Sequence, residues 1–164
     1  MPWQLRNSNR ESIATLLAAP NWISTVSVEH CIDDQKQLHD TLAERLKTSD
    51  AILMTGGVSM GDYDYVPDVI RDLGGKVVFH GLPIRPGKPV LGAATNDGKL
   101  LLGLPGNPVS ATIGCQRLGI PLLAYMAGKR KWLPKVPVVQ LENSGNKSIP
   151  LTWLRLVKLV ENGV

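Results

Sequence analysis

The chain has 164 residues, 43% of them hydrophobic, and a net charge of +4 from 18 basic and 14 acidic side chains. This is typical of one globular domain with a small appendage. No apolar stretch approaches the roughly 20 residues of a membrane span, and the start lacks the apolar core of a signal peptide. The basic residues have no aromatic side chains interleaved for stacking on nucleic acid. We therefore expect a cytoplasmic protein that binds neither nucleic acid nor a membrane.

The first half of the chain alternates predicted helices with predicted strands. Apolar residues at helical spacing predict a helix over residues 9–19, with Ser8 as its N-cap, and a second helix over residues 34–47. Between them, residues 22–28 alternate apolar and polar side chains loosely, which predicts a strand. The apolar run of residues 51–54 predicts a strand that is buried on both faces of a parallel sheet.

The alternation continues through the second half. The spacing predicts a helix over residues 65–73 and a strand over residues 76–80. An Asn-Asp-Gly motif within residues 90–102 predicts a hairpin, and a long helix follows over residues 108–127. This order of elements predicts an α/β fold, in which helices form layers on a mostly parallel sheet.

The last part of the chain departs from this pattern. Residues 136–141 and 153–160 are predicted to form two strands, which are too few for an independently stable domain. We therefore divide the chain into an α/β domain, residues 1–131, and a small β segment, residues 132–164.

Three loops of unusual composition follow predicted strands, where ligands bind to an open parallel sheet. The first, residues 55–64, has glycines that allow close approach to a ligand and leads into a helix whose N–H groups favour an anion. Ser59 could add a hydroxyl donor, whereas Asp64 could simply be the N-cap of the helix. The loop matches neither a Walker A motif nor a dinucleotide-binding motif.

The second and third loops also suit an oxyanion. Residues 84–89 combine two prolines and a glycine with two cations, so this stiff loop could hold an oxyanion at low entropic cost; a solvated turn is the alternative. In residues 104–111, Asn107 fits as the N-cap of the long helix and Pro108 as its first residue. The helix start could bind an anion, or it could be no more than a well-capped helix.

An acidic pair, Asp33 and Asp34, lies between the predicted strand of residues 22–28 and the following helix. One of the two could cap the helix, which would leave the other to hold a cation or accept a proton. The sequence shows no spacing typical of zinc ligands and no Ser/His/Asp order. The ligands of any metal ion therefore stay unassigned.

Together, these loops resemble those of one family. The segments Thr-Gly-Gly-Val-Ser-Met-Gly-Asp-Tyr-Asp, Pro-Gly-Lys-Pro and Leu-Pro-Gly-Asn-Pro-Val-Ser-Ala, in this order, are similar to those of the molybdopterin molybdotransferases, which include a bacterial enzyme and the E domain of gephyrin. Asn7-Ser8-Asn9 and Asp33-Asp34 also look like that family's pattern. The resemblance extends from about residue 7 to residue 160. It implies the three-layer molybdopterin-binding fold.

The resemblance also implies a transferase of molybdenum cofactor biosynthesis. In this family adenylylated molybdopterin and molybdate are the substrates; the adenylate bond is cleaved, AMP leaves, and the dithiolene takes up molybdenum. Mg²⁺ is the implied cofactor. The family is homodimeric, but its dimer-forming domains have no counterpart in this sequence.

Site residues are carried over by the same resemblance. Asp33 and Asp64 match the pocket carboxylates and are the candidate catalytic residues. Arg85 matches a pocket cation that is lysine in many members, and molybdate would contact Arg85 or Lys88. The candidate ligand-binding residues are Thr55, Gly56, Gly57, Ser59, Gly61, Arg85, Lys88, Pro105, Gly106, Asn107, Pro108 and Ser110.

The chain departs from the family in several places. The family's domain begins with a strand and a Thr-Gly-Asp-Glu-Leu loop, whose glutamate has no counterpart here, and Gly81 stands near a position often occupied by lysine. A sheet without its first strand exposes unpaired backbone groups, so we expect the chain alone to have low stability. The alternatives to an active enzyme are an inactive fragment of it, a module that binds molybdopterin without metal insertion, and an interaction scaffold.

Overall fold

The computed structural model describes residues 7–58, 65–130 and 150–155. The helices are α1 (Ser8–Ala18), α2 (Gln35–Thr48), α3 (Val66–Asp72), α4 (Pro108–Gly114) and α5 (Ile120–Met126), and a π-helical turn (Cys115–Gly119) joins the last two. The strands are β1 (Ala51–Thr55), β2 (Lys76–His80), β3 (Ile84–Arg85), β4 (Leu91–Ala94), β5 (Leu100–Leu104) and β6 (Thr152–Trp153). None of the helices in these ranges is long and apolar enough to cross a membrane.

The central sheet has the strand order β1-β5-β4-β2. β1 and β5 pair in parallel, from Ala51 opposite Leu100 to Thr55 opposite Leu104. β4 pairs antiparallel with both β5 and β2, so β1, β5 and β2 run in one direction and β4 runs against them. The α/β class is confirmed, and three of the four strands run in one direction, as predicted for a mostly parallel sheet; β4 is the exception.

The reversal of β4 follows from the predicted hairpin. Thr95 N–H donates to Lys99 O at 3.0 Å, and Gly98 N–H donates to Thr95 O at 3.0 Å. Gly98 has a φ of +85°, which glycine adopts without the steric penalty of a side chain. This tight turn places β5 directly beside β4, whereas the helical connections elsewhere allow strands to run in the same direction.

The predicted strand of residues 22–28 is wrong. Within the described ranges the segment forms neither helix nor strand and pairs with no strand. Ile23 N–H donates to Pro20 O in the turn that ends α1, and the next residues follow the open side of β1. A suitable sequence forms a strand only where a neighbour completes the ladder of hydrogen bonds, and no strand of residues 7–58, 65–130 or 150–155 pairs with this segment.

The sheet is covered by helices on both faces, which confirms the predicted three layers. Alternate residues of β5 point to opposite faces: Leu102 and Leu104 pack with α1, α4 and α5, and Leu101 packs with the buried residues of α3. All three of these leucines are 0% exposed. Burial of each side chain contributes about 1.5–3 kcal/mol, so β5 is the centre of both cores.

The predicted long helix is continuous from α4 to α5, with a π-helical turn in its middle. There, Ile120 N–H donates to Cys115 O, five residues back, in place of the usual four. Pro121 follows in the first turn of α5. The wider turn comes just before Pro121, which has no N–H and whose ring, in a regular helix, would crowd the carbonyl four residues earlier.

The end of the chain adds a second, small sheet. β6 pairs in parallel with β3, with Ile84 opposite Thr152 and Arg85 opposite Trp153. The predicted strand of residues 136–141, most of the predicted strand of residues 153–160 and the proposed domain boundary after residue 131 lie outside the described residues or at their limit. These stay predictions.

Candidate functional site

Three loops leave the sheet at the same edge. β1, β5 and β2 run in one direction, so the loops that follow Thr55, Leu104 and His80 all begin at the carboxyl ends of strands. This is the edge at which α/β folds bind ligands.

The first loop begins with two glycines in the left-handed region. Gly56 has a φ of +83° and Gly57 a φ of +64°. Gly56 N–H donates to Leu104 O at 3.1 Å, which extends the pairing of β1 with β5 by one bond. A side chain at either glycine would be strained whatever the space around it. Of the other predicted residues of this loop, Ser59, Gly61 and Asp64 lie outside the described residues.

The first and third loops touch through their glycines. A Cβ placed on Gly106 would lie 3.8 Å from the Cα of Gly56. Asn9, in the first turn of α1, donates from Nδ2 to Gly106 O at 2.8 Å and so connects two segments 97 residues apart. Because Gly106 lies two residues before α4, the N-terminal ends of α1 and of the long helix meet at this point. Asn9 was not among the predicted site residues.

The third loop is stabilised by its own cap. Asn107 Oδ1 accepts hydrogen bonds from Ser110 N at 3.1 Å and Ser110 Oγ at 3.3 Å, and Pro108 is the first residue of α4. Pro105 is buried, whereas Gly106, Asn107 and Pro108 are exposed. The Ser110 hydroxyl, in a side chain that is 8% exposed, therefore supports the loop from inside.

The two residues of the acidic pair have different roles. Asp34 is the N-cap of α2, where its Oδ1 accepts from Gln37 N–H at 2.8 Å. Asp33 is exposed and makes no capping bond. α2 ends three residues before β1 begins and runs back along it, so its N-terminal end lies toward the carboxyl edge of the sheet. No group of three His, Cys, Asp or Glu side chains suited to a metal ion occurs within the described ranges.

A large cavity connects this edge with the side of β1. Its volume is about 1030 Å³. Its lining includes Thr55, Gly56 and Gly57 of the first loop, together with Asp33 and Asn9. The structure therefore brings Asp33 to the same space as the first loop, with Asn9 between this loop and the third.

The two predicted cations lie on a different part of the edge. Neither Arg85 nor Lys88 lines this cavity in the described structure, and both are exposed. Arg85 belongs to β3, and its guanidinium carbon lies 5.5 Å from the centre of the Trp153 ring. Lys88 uses its carbonyl to accept from Leu82 N–H at 3.0 Å, so the backbone of this loop is held in place while the ammonium group reaches solvent.

A histidine joins the second strand to the first loop. His80 Nε2 lies 3.4 Å from the carbonyl oxygen of Val58. The Val58 side chain, 1% exposed, packs against the face of β5 at Gly103, where a Cβ would meet it at 2.3 Å. Glycine at position 103 thus makes room for the first loop to lie on the sheet.

Together, the fold and this edge define an α/β domain with a glycine-lined candidate site beside helix N-termini. The family model described as "probable molybdopterin binding domain" matches residues 1–125. The chain belongs to this family.

Full-length relatives and a solved structure agree with that assignment. The chain is 32% identical over 136 residues to a molybdopterin molybdenumtransferase of Nostoc sp., with 81% of this chain and 31% of the relative covered. It is 30% identical over 154 residues to that of Staphylococcus epidermidis, with coverage of 93% and 36%. The crystal structure of a molybdopterin biosynthesis MoeA protein from Pyrococcus horikosii matches with a TM-score of 0.60 and 27% identity, over 79% of this chain and 31% of that one. The chain thus spans about a third of the length of these relatives.

Proposed function

We propose that the chain binds molybdopterin or its adenylylated form at the carboxyl edge of the sheet. Within a longer enzyme, it would then take part in molybdenum insertion with release of AMP. The observation that carries the proposal is the contact of Gly56 with Gly106, held by the hydrogen bond from Asn9. At this contact two backbone segments meet without side chains, beside the N-terminal ends of two helices.

This arrangement supports a ligand that carries phosphate. Helix N-termini have partial positive charge and free N–H groups, which favour phosphate. Both substrates in the proposed reaction are anionic, since molybdopterin carries phosphate and molybdate is an oxyanion. The cavity of about 1030 Å³ is at the upper end of the usual range for ligand sites, so it has room for a nucleotide-sized molecule.

Asp33 lines the cavity and is not used to cap α2, so its carboxylate is available to contact a bound metal ion. Mg²⁺ commonly binds through one or two carboxylates together with phosphate oxygens of the substrate. Asp33 and the substrate would hold such an ion, which would neutralise charge on the phosphates. Asp64 keeps its proposed catalytic role by resemblance to the family, and Arg85 and Lys88 are proposed to hold molybdate.

The test is a binding and turnover measurement on the full chain. Adenylylated molybdopterin is titrated into the folded protein, and AMP release is then followed with Mg²⁺ and molybdate present. Binding with release of AMP and uptake of molybdenum is the result expected of an enzyme. Absence of binding by a chain that circular dichroism shows to be folded would contradict the proposal.

The acidic pair offers a matched test of Asp33. Asp33→Asn removes a carboxylate without a large change in shape, and we expect it to weaken binding of the Mg²⁺–ligand complex by about ten- to a hundredfold, as lost charge-assisted contacts do. Asp34→Asn is the control, because asparagine caps helices about as well as aspartate. Equal binding by the two variants would remove Asp33 from the site.

A second function is favoured by the position of the two cations. Neither Arg85 nor Lys88, which are proposed to hold molybdate, lines the cavity in the described structure, so a module that binds molybdopterin without metal insertion is the alternative. Binding without AMP release would identify it. A homodimer and a cytoplasmic location stay proposals for the longer protein.

A further inference from the structure

Arg85 lies beside an aromatic ring on the small sheet. Its guanidinium carbon is 5.5 Å from the centre of the Trp153 ring, which is within the distance of a cation–π contact. The two residues are opposite each other in the parallel pairing of β3 with β6. Residues paired in this way direct their side chains to the same face of a sheet, so the contact follows from the register of the two strands.

The backbone around this contact is fixed by hydrogen bonds on both sides. Thr152 N–H donates to Pro83 O at 2.7 Å, and Leu154 N–H donates to Arg85 O at 2.7 Å. These two bonds enclose Trp153 in β6. The main chain therefore sets the position of the ring relative to Arg85, and the freedom that remains is that of the long arginine side chain.

The ring contact leaves the hydrogen-bonding edge of the guanidinium available. Arg85 is exposed, and among the described residues no carboxylate forms an ion pair with it. A guanidinium is planar: its face packs on aromatic rings, and its five N–H donors lie along its edge. An arginine held by a ring can therefore still bind an oxyanion through paired N–H groups. A lysine ammonium group has no such plane for the ring to orient.

Trp153 has no place in the core that would account for it. It is 40% exposed and belongs to neither of the two hydrophobic clusters of the described residues. A second cation, Arg155, has its guanidinium carbon 4.9 Å from the ring centre. Lys88, by contrast, has no ring contact in the described part of the chain. Of the two cations proposed to hold molybdate, Trp153 therefore touches Arg85 alone.

We propose that Trp153 is a positioning residue for the oxyanion site, and that its ring holds the guanidinium of Arg85 in place before molybdate binds. The inference rests on the proposed function, in which Arg85 and Lys88 hold molybdate. A side chain that is already ordered loses less conformational entropy when it binds an anion. The ring acts through Arg85 and does not contact molybdate itself.

The test measures the affinity of the full chain for sodium molybdate by isothermal titration. Trp153→Leu removes the ring, and we expect it to weaken binding by about three- to tenfold, which corresponds to the cost of ordering one long side chain. Trp153→Phe keeps an aromatic face and should retain most of the affinity. Circular dichroism checks that each variant is folded, and the Leu154 amide should stay protected from hydrogen exchange where β6 still pairs with β3.

Exchange of the two cations distinguishes the orientation of Arg85 from a general effect of the ring. In the Arg85→Lys variant the ring has no guanidinium plane to hold, so the further change Trp153→Leu should weaken binding by less than about twofold. Lys88→Arg is the matched control, because Lys88 does not touch the ring in the described structure. In that variant Trp153→Leu should keep its full effect.

The outcomes separate this inference from the proposed function. If the unchanged chain binds no molybdate, or if Arg85→Gln leaves the affinity unaltered, Arg85 holds no oxyanion, and both its role in the proposed function and this inference fail. If Arg85→Gln weakens binding and Trp153→Leu does not, the positioning role alone is wrong.

Two further results would overturn the positioning role. The first is an equal effect of Trp153→Leu with and without the Arg85→Lys change, because the ring would then act through Arg155 or through the packing of β6. The second is a folded Trp153→Phe variant that loses as much affinity as Trp153→Leu, because an aromatic face would then make no difference.

Discussion

Substitution of Gly56 by alanine separates the conformational role of this glycine from its role at a ligand site. Gly56 has a φ of +83°, and an added Cβ would have no heavy atom within 4 Å in the described structure. The Gly56→Ala variant should therefore suffer strain without a clash. A left-handed backbone costs a residue with a Cβ about 1–2 kcal/mol. For a chain of this size, that loss lowers Tm by about 2–8 °C.

Gly98 provides a control with the same geometry. Its φ is +85°, its added Cβ would also have open space, and it lies in the β4–β5 hairpin at the opposite edge of the sheet. Gly98→Ala should thus lose the same stability, which thermal unfolding followed by circular dichroism measures. Isothermal titration with adenylylated molybdopterin should then show a loss of at least about tenfold in affinity, or 1.4 kcal/mol, for Gly56→Ala only.

Two results from the comparison of Gly56→Ala with Gly98→Ala would refute this reasoning. Equal affinity of the two variants for the ligand would show that the backbone at Gly56 does not approach it, and the proposed site would lose its main support. A much larger loss of stability for Gly56→Ala than for Gly98→Ala would refute the account of the loop as strained but unobstructed.

Two further predictions concern the buried groups near the site and in the core. Asn9→Ala should lower the free energy of unfolding in urea by about 1–3 kcal/mol, because the carbonyl of Gly106 loses its donor; an unchanged midpoint would mean that water replaces the amide. Burial raises the pKa of the Cys115 thiol to about 11, so a thiol reagent should modify the half-buried Cys31 in the folded chain and Cys115 only after unfolding. Because the pKa of Cys115 is raised in the folded state, its thiol contributes fully to the free energy of unfolding below pH 9.0, the ordinary pKa of a thiol. That contribution is lost as the pH rises to about 11. Unfolding measured across that window should show a fall that Cys115→Ala reduces.

Elements determined by local pattern were predicted well. The apolar run before Thr55 became β1, the Asn-Asp-Gly motif became the turn at Gly98, and the segment from Pro108 onward became a long helix. Each depends on side-chain spacing or on a turn of a few residues, which the sequence displays directly. The start of α1 differed by one residue, since Asn7 is the cap in place of Ser8.

Errors arose where the outcome depends on a distant part of the chain. Residues 22–28 have a suitable strand sequence, but no strand in the described part of the chain pairs with them to complete a ladder. The opposite direction of β4, by contrast, follows from the Asn-Asp-Gly hairpin, which the sequence displays locally.

In the candidate site, too, local features could be predicted from the sequence, whereas contacts between distant residues could not. Its loops could be found from composition, and the interpretation of Asn107 as a cap is confirmed by its bond to Ser110. The division of roles within the acidic pair required the hydrogen bond from Gln37 to Asp34. Asn9 was missed because its partner, Gly106, is 97 residues away, although two asparagines that flank a serine at a helix start were a visible signal.

The π-helical turn between α4 and α5 holds one residue more than a regular helical turn. Removal of one residue from Cys115–Gly119 would convert it to an α-helical turn and leave α5 in nearly the same rotation relative to α4. Leu122 and Leu123 would therefore keep their packing on the core. Pro121, however, would then lie inside a regular helix, where its ring meets a carbonyl. A single-residue deletion here should therefore be tolerated only when Pro121 is replaced as well, for example by alanine.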